Sequence, residues 1–127
     1  MIYDTNFLIA LQGRKKGITA NEARAWAAND PGVLYVPRLV EMEFLAGFAS
    51  DAEASRYLRG FVVLPLESAV LKETVRIMRE LRGEGQGIGA ADSIIAATAR
   101  LYGLPLVTDN VRHFNRVQGL NVRNFQS

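Results

Sequence analysis

An alternation constrains this chain most. Short apolar runs of strand length, Ile2-Tyr3, Val33-Leu34-Tyr35-Val36, Phe61-Val62-Val63-Leu64 and Leu104-Pro105-Leu106-Val107-Thr108, are separated by segments with helical patterning. Runs this short and this continuously apolar, bounded by turn residues, read as strands buried on both faces. Strands joined through helices form right-handed crossovers and lie parallel. The expected fold is therefore α/β, three layers α/β/α around a central parallel sheet, with residues 1–127 as a single domain.

The helices announce themselves by their ends. An apolar run Phe7-Leu8-Ile9-Ala10-Leu11 follows the first strand directly. Thr19-Ala20-Asn21-Glu22 is a capping box and starts a helix that Asn29-Asp30-Pro31-Gly32 closes. Pro37 suits the first turn of a helix running to Gly47, and Ser50-Asp51-Ala52-Glu53 is a second capping box for a helix ending at Gly60. Glu67 to Arg82 is the longest expected helix, with Val70, Leu71, Thr74, Ile77, Met78 and Leu81 as its apolar stripe. Gly83 to Gly89 reads as a flexible loop, and Ala90 to Tyr102 as an Ala-rich helix stopped by Gly103. A short helix is expected over Asn110–Asn115 and a last strand over Leu120–Phe125, at the sheet edge.

Composition removes several chemistries. Cysteine is absent, so there is no thiolate metal site, no Cys nucleophile and no disulfide. His113 is the single histidine, which excludes any site needing two. No apolar run approaches the ~20 residues of a membrane span, and the apolar start lacks the basic segment of a signal peptide; the expected location is the cytoplasm. Net charge is +2, with Lys15, Lys16 and Lys72 the only lysines among fifteen basic residues. The remainder are arginines, whose planar fork suits phosphate. Composition thus permits a nucleic-acid partner without specifying one.

Four acids stand out by context. Asp4 ends the first strand with Thr5 and Asn6 beside it, Glu43 lies inside the apolar stretch Leu39–Leu45, Asp92 follows the glycine loop, and Asp109 ends the fourth strand in Val107-Thr108-Asp109-Asn110. Each has an ordinary structural use. Asp4 and Asp109 can cap helices, Asp92 suits a helix N-terminus, and Glu43 or Glu41 can face solvent. Their joint occurrence says more. Strand ends and helix starts share one edge of a parallel sheet, where ligands bind, so Asp4, Asp92 and Asp109 are expected to approach one another. Two carboxylates ~4 Å apart repel by about 4 kcal/mol at an effective dielectric of 20, so such a cluster calls for a cation. Oxygen ligands without cysteine or a histidine pair suit Mg²⁺ or Mn²⁺. A metal so held activates water for in-line attack on a phosphodiester.

Asp4-Thr5-Asn6, Glu43-Phe44-Leu45-Ala46-Gly47, Asp92 ahead of Ile94-Ile95-Ala96-Ala97-Thr98-Ala99, and Leu106-Val107-Thr108-Asp109-Asn110-Val111-Arg112-His113-Phe114, in that order and spacing, resemble a PIN domain of the VapC type found in toxin–antitoxin pairs. The resemblance covers nearly the whole chain and rests on the four motifs together. It implies a metal-dependent endoribonuclease acting on RNA, a small antitoxin partner and a homodimer. Asp4, Glu43 and Asp92 match the family's first three acids and are its expected metal ligands, with Mg²⁺ or Mn²⁺ as cofactor. Thr5, Asn6, Thr108 and Asn110 are expected polar supports. The family often has Asp at the place of Asn110 or of His113; here the fourth acid is replaced, and Asp109 is the neighbouring candidate for catalysis. Arg14, Lys15, Lys16 and Arg112 are candidate phosphate contacts.

Other readings are weaker. Haloacid-dehalogenase-like phosphatases need a second Asp where this chain has Asn6. Receiver domains need a late strand-end Lys that is missing here. Gly85-x-Gly87 follows a helix, whereas a dinucleotide fingerprint follows a strand. A PIN-like RNA-binding or regulatory domain that no longer cuts is the non-enzymatic alternative. Phe44, Phe48 and Tyr57 supply either an apolar docking surface or core. Arg76, Arg79 and Arg82 share one helix face, the usual pattern of a solvated one.

Overall fold

The computed structural model describes residues 1–126. Along the chain run β1 (Ile2–Tyr3), α1 (Thr5–Leu11), α2 (Ala20–Ala28), β2 (Leu34–Pro37), α3 (Arg38–Ala46), α4 (Asp51–Leu58), β3 (Phe61–Leu64), α5 (Ser68–Gly83), α6 (Ala90–Tyr102), β4 (Leu106–Thr108), α7 (Val111–Phe114) and β5 (Val122–Asn124). The strands form one sheet in the order β3-β2-β1-β4-β5, and every pairing is parallel. The chain moves outward from β1 through β2 to β3, then crosses back to β4 and β5. Right-handed crossovers place α1 to α4 on one face and α5 and α6 on the other. The parallel sheet and the three layers expected from the alternation are both present.

The reversal of strand order falls between β1 and β4. At such a switch point the loops beyond the strand ends diverge to opposite faces and leave a crevice. β1 is only two residues long, yet it is the central strand, and both Ile2 and Tyr3 are fully buried. Around them pack Val36, Leu106 and Val107 from neighbouring strands, Phe7 and Leu8 from α1, Val70 and Ile77 from α5, and Ile95 from α6. Aromatic rings reinforce the α1 side: Tyr3 lies 4.7 Å from Phe7 and 5.6 Å from Phe61, and Phe7 lies 5.3 Å from Phe125. The Tyr3 hydroxyl, unable to stay unpaired in that setting, donates to Asp30 Oδ2 at 2.9 Å.

Local signals set most boundaries. Thr19 forms the full capping box with Glu22, and Ser50 Oγ accepts from Glu53 N–H at 3.3 Å. Gly103 ends α6 in the left-handed region at φ +66°, a conformation that favours glycine. Three expectations shift. Pro37 pairs with Leu64 as the last residue of β2 and caps α3 instead of opening its first turn. Gly83 is the last residue of α5, so the glycine loop is shorter than expected. In α5, Val70, Thr74, Ile77 and Leu81 are buried, whereas Leu71 and Met78 are 47% and 36% exposed. A stripe of period 3.6 has room for only one of two adjacent positions on its midline.

The two long helices are also clasped by charge. Arg100 of α6 bonds Glu73 Oε2 at 2.8 Å and Glu80 Oε2 at 3.0 Å, both on α5, and the carbonyl of Gln118 at 3.1 Å. Its side chain is mostly buried, so the fork geometry of the guanidinium is held by packing as well as by charge. This clasp fixes α6, and with it Asp92 at the start of α6.

Candidate active site

Asp4 stands at the end of β1, beside the switch point. Its backbone N–H donates to Val107 O at 3.0 Å, continuing the β1–β4 ladder one step beyond the last strand residue. The chain then turns into α1, and Asp4 is the N-cap: Oδ1 accepts from Thr5 N–H at 2.8 Å. Oδ2 accepts from the Thr108 hydroxyl at 2.8 Å, across the switch point from the end of β4. Thr108 Oγ1 accepts in turn from Asn110 N–H at 3.0 Å. Capping and site chemistry therefore coincide in one residue.

That carboxylate is 6% exposed. Burial pushes its pKa from the ordinary 3.8 up to about 6. The bonds from Thr108 and from the Thr5 N–H work in the opposite direction, because they favour the charged form. The negative charges of Asp92 and Glu43 add to the rise, which places all three acids within electrostatic reach.

Glu43 reaches the site from α3, where Thr5 Oγ1 donates to its Oε1 at 3.0 Å. Glu41 instead turns to Arg38, at 2.6 Å, and leaves Glu43 as the α3 acid facing Asp4. Asp92 lies in the first turn of α6, with His113 Nδ1 3.2 Å from its Oδ2. Asn110 Nδ2 lies 3.2 Å from the same ring nitrogen. A chain of hydrogen bonds thus links Asp4 to Thr108 and Thr108 to Asn110, the His113 ring lies between Asn110 and Asp92, and Thr5 bonds both Asp4 and Glu43. In the sequence the His113 position stands out only as a place where the family often has an acid. Its spacing of three from Asn110 on one helical turn was the signal that joins the two.

Asp109 is engaged elsewhere. Its Oδ1 accepts from Asn6 Nδ2 at 2.6 Å, and its Oδ2 receives Lys15 Nζ at 2.8 Å and Gln126 Nε2 at 3.1 Å. Asn6 and Lys15 are drawn into this bridge with it. Arg14, Lys16 and Arg112 are exposed and stand available to phosphate. Phe44 is buried in the core and stacks edge-on to Phe48 at 4.9 Å, while Phe48 and Tyr57 are half-buried.

Among the described residues, no three His, Asp or Glu side chains are grouped closely enough to hold a metal ion together. Glu43 is bonded to Thr5 through Oε1 and Asp92 lies against His113 through Oδ2. The donor set nevertheless suits a hard divalent cation. A buried carboxylate whose charge is opposed by burial and by two further carboxylates is relieved by one positive ion placed among them. Asp4 is anchored by two hydrogen bonds, whereas Glu43 and Asp92 lie on surrounding helices.

The PIN domain family profile matches residues 1–120. The tRNA(fMet)-specific endonuclease VapC of Shigella flexneri is 34% identical over 101 residues, covering 74% of this chain and 76% of that protein. Ribonuclease VapC1 of Rickettsia felis is 30% identical over 132 aligned positions, covering 96% and 93%. Ribonuclease VapC10 of Mycobacterium tuberculosis is 33% identical over 118, covering 90% and 85%. Among known structures, FitAcB from Neisseria gonorrhoeae superposes with a TM-score of 0.80 at 21% identity, covering 98% of this chain and 96% of that one. VapBC-1 from nontypeable Haemophilus influenzae gives 0.78 at 22% identity and full coverage of both chains. The structural likenesses carry the fold, and the sequence likenesses carry the family. On these grounds the chain belongs to the PIN-domain family, among its VapC ribonucleases.

Proposed function

We propose that this chain is the toxin half of a toxin–antitoxin pair and hydrolyses internal phosphodiester bonds of RNA with a divalent ion held by Asp4, Glu43 and Asp92. The observation that carries the reading is the buried Asp4 carboxylate, pushed up to about 6 by burial with Asp92 and Glu43 adding to the rise. When bound, the ion would polarise the scissile phosphate and lower the pKa of an attacking water. Asp4, fixed by Thr108 and the Thr5 N–H, supplies the rigid ligand. Thr5 aims Glu43 through its hydroxyl, and Asn110 holds the His113 ring near Asp92. Arg14, Lys16 and Arg112 bind the flanking phosphates. Mg²⁺ and Mn²⁺ both match this donor set.

The first test is chelation. Purified protein is expected to cut a structured RNA with Mg²⁺ or Mn²⁺, to stop in EDTA, and to resume when metal is restored. Asp92→Asn is expected to reduce cleavage by roughly the 10- to 100-fold that perturbing a metal site commonly costs, or more. Cleavage that survives exhaustive chelation and is equal in Asp92→Asn would defeat the metal reading. An intact metal site with no cleavage of any RNA would favour the non-cutting alternative, which the Asn110 and His113 replacements keep in view.

Asp109→Asn is the matched control. It preserves shape but releases Lys15 from its ion pair. The pair is partly exposed, so the expected loss of stability is at most about 1 kcal/mol, read from the urea midpoint. Cleavage is expected to stay near the wild-type rate. A loss as deep as that of Asp92→Asn would make Asp109 a ligand.

The partner proposals follow from the family. Structures that resemble this one include the VapBC2 complex of Rickettsia felis bound to promoter DNA and a toxin–antitoxin complex from Klebsiella pneumoniae. We infer a small antitoxin partner and a homodimer for this chain, with Phe48 and Tyr57 as the apolar contribution. Light scattering giving the mass of one chain at high concentration would remove the dimer.

A further inference from the structure

We propose that the outer face of α5 is the surface on which two copies of this chain pair, antiparallel across a two-fold axis, with Glu67 of each copy against the partner's Arg82. The proposal rests on the homodimer reading above; it assigns that dimer to α5 and leaves Phe48 and Tyr57 to the antitoxin.

Two rows of side chains run along α5. Val70, Thr74, Ile77 and Leu81 face the core and are buried. The residues that directly follow them are Leu71, Val75, Met78 and Arg82. One residue is a step of about 100° around a helix, so these four form a second row beside the first. Its three apolar members, Leu71, Val75 and Met78, are 47%, 43% and 36% exposed. A single exposed apolar side chain is ordinary. Three in a row on one helix face form a patch of the kind that marks a protein contact. Leu66, just before the helix, and Leu101, next to the Arg100 clasp, are also exposed and add apolar surface beyond the row.

Charge selects the occupant. Glu67 is the N-cap of α5 and Arg82 lies in its last turn, so the row reads Glu67, Leu71, Val75, Met78, Arg82. Positions spaced in this way fall within about 80° of one another around the helix axis. Glu67 makes no capping bond, and among the described residues neither its side chain nor that of Arg82 has a hydrogen-bond or ion-pair partner. The row is thus acidic at one end, apolar in the middle and basic at the other end. Such a row complements itself when a second copy lies antiparallel. Leu71 then faces the partner's Met78, Val75 sits at the axis, and Glu67 meets the partner's Arg82 at both ends. Parallel copies would set acid on acid and base on base. Antiparallel helix dipoles favour the same arrangement. Lys72 and Arg79 point about 80–100° away from the midline of the row, to a rim where water and salt screen their repulsion.

Sedimentation equilibrium of the purified full chain, over the widest attainable concentration range, measures the dimer constant of wild type, Val75→Glu, Glu67→Arg and Arg82→Glu. All three positions are exposed, so the variants are expected to fold, as melting curves will verify. Val75→Glu brings two like charges together at the axis and should weaken the dimer about 100-fold or more. Each charge reversal replaces two attractions by two repulsions and should weaken it about 10-fold. The most specific arm mixes the two reversals. Glu67→Arg carries a base at both ends of the row and Arg82→Glu an acid at both, so a heterodimer of the two restores both ion pairs. The mixture should therefore form dimer at concentrations where each variant alone is monomeric. A wild-type dimer that Val75→Glu leaves intact overturns the α5 surface and leaves the homodimer reading standing. Dissociation by Val75→Glu without recovery on mixing overturns the antiparallel pairing, and the proposal with it. A wild type that stays monomeric at every concentration overturns both the proposal and the homodimer reading.

Discussion

Asp4→Asn is expected to lower RNA cleavage by about 10²- to 10³-fold, the scale set by loss of one preorganised electrostatic group, while making the metal-free protein more stable at neutral pH. The two effects share one cause. The folded state holds the Asp4 carboxyl at about 6, above its ordinary 3.8, because the group is buried and has Asp92 and Glu43 nearby. A carboxyl raised on folding contributes stability that is fully present below about 3.8 and is lost as the pH rises through about 6. At pH 7 the charged form is therefore a strain on the fold. A shift on the order of two units corresponds to roughly 3 kcal/mol. Asn recovers only part of this. It caps a helix nearly as well as Asp, but its single carbonyl oxygen cannot serve both the Thr5 N–H and the Thr108 hydroxyl as two carboxylate oxygens do. A net gain of about 1–2 kcal/mol is expected, several degrees in Tm for a domain of this size.

The pH dependence makes the prediction specific. The advantage of Asp4→Asn in EDTA should be largest at pH 7–8 and should vanish near pH 4, where the wild-type group is itself protonated. In saturating metal the order should reverse, since only wild type gains the binding energy of the ion. Equal melting temperatures at pH 7 in EDTA, together with retained cleavage at low Mg²⁺, would reduce Asp4 to a helix cap.

Phe7→Ala is expected to destabilise the fold by about 3–5 kcal/mol, the range for deleting a buried aromatic ring. Phe7 is fully buried, with rings of Tyr3 at 4.7 Å, Phe125 at 5.3 Å and Trp26 at 6.1 Å. It ties three otherwise separate parts of the chain: the central strand, α2 and the segment after β5. No neighbour can collapse into the gap without dragging one of these elements. Against a typical domain stability of 5–15 kcal/mol, the loss is large. Urea denaturation should show a midpoint far below wild type with an unchanged slope. Phe7→Leu, which keeps most of the volume, should lose less than about half as much. Because α1 begins at Asp4, Phe7→Ala should also reduce cleavage even at temperatures where it stays folded. A loss under about 1 kcal/mol would show that the aromatic cluster repacks freely.

The fold class was legible because its signals are local. The four apolar runs, the Thr19 box, the Ser50 cap and the Gly103 stop each depend on a few neighbouring residues, and the helix and strand elements formed close to where those residues place them. The candidacy of Asp4, Glu43 and Asp92 was legible from the acids' positions beside strand ends and inside apolar stretches. Other features depended on contacts between distant segments. Nothing in a two-residue strand says that Ile2-Tyr3 is central; that follows from pairing with both Tyr35 and Leu106, far along the chain. Glu41 and Glu43 are two residues apart, about 200° around a helix, and only the docking of α3 decides which of them meets Thr5. Thr108 and Asp109 lie at a strand end, where successive side chains point to opposite sides. The register that sets Tyr3 beside Val107 aims Thr108 at Asp4 and sends Asp109 to Lys15. His113 meets Asp92 only because α7 packs against α6. Local sequence determined which segments form helices and strands and which acids were available; pairing register and helix docking, interactions over a hundred residues apart in the case of Asp4 and Thr108, decided which of them face one another.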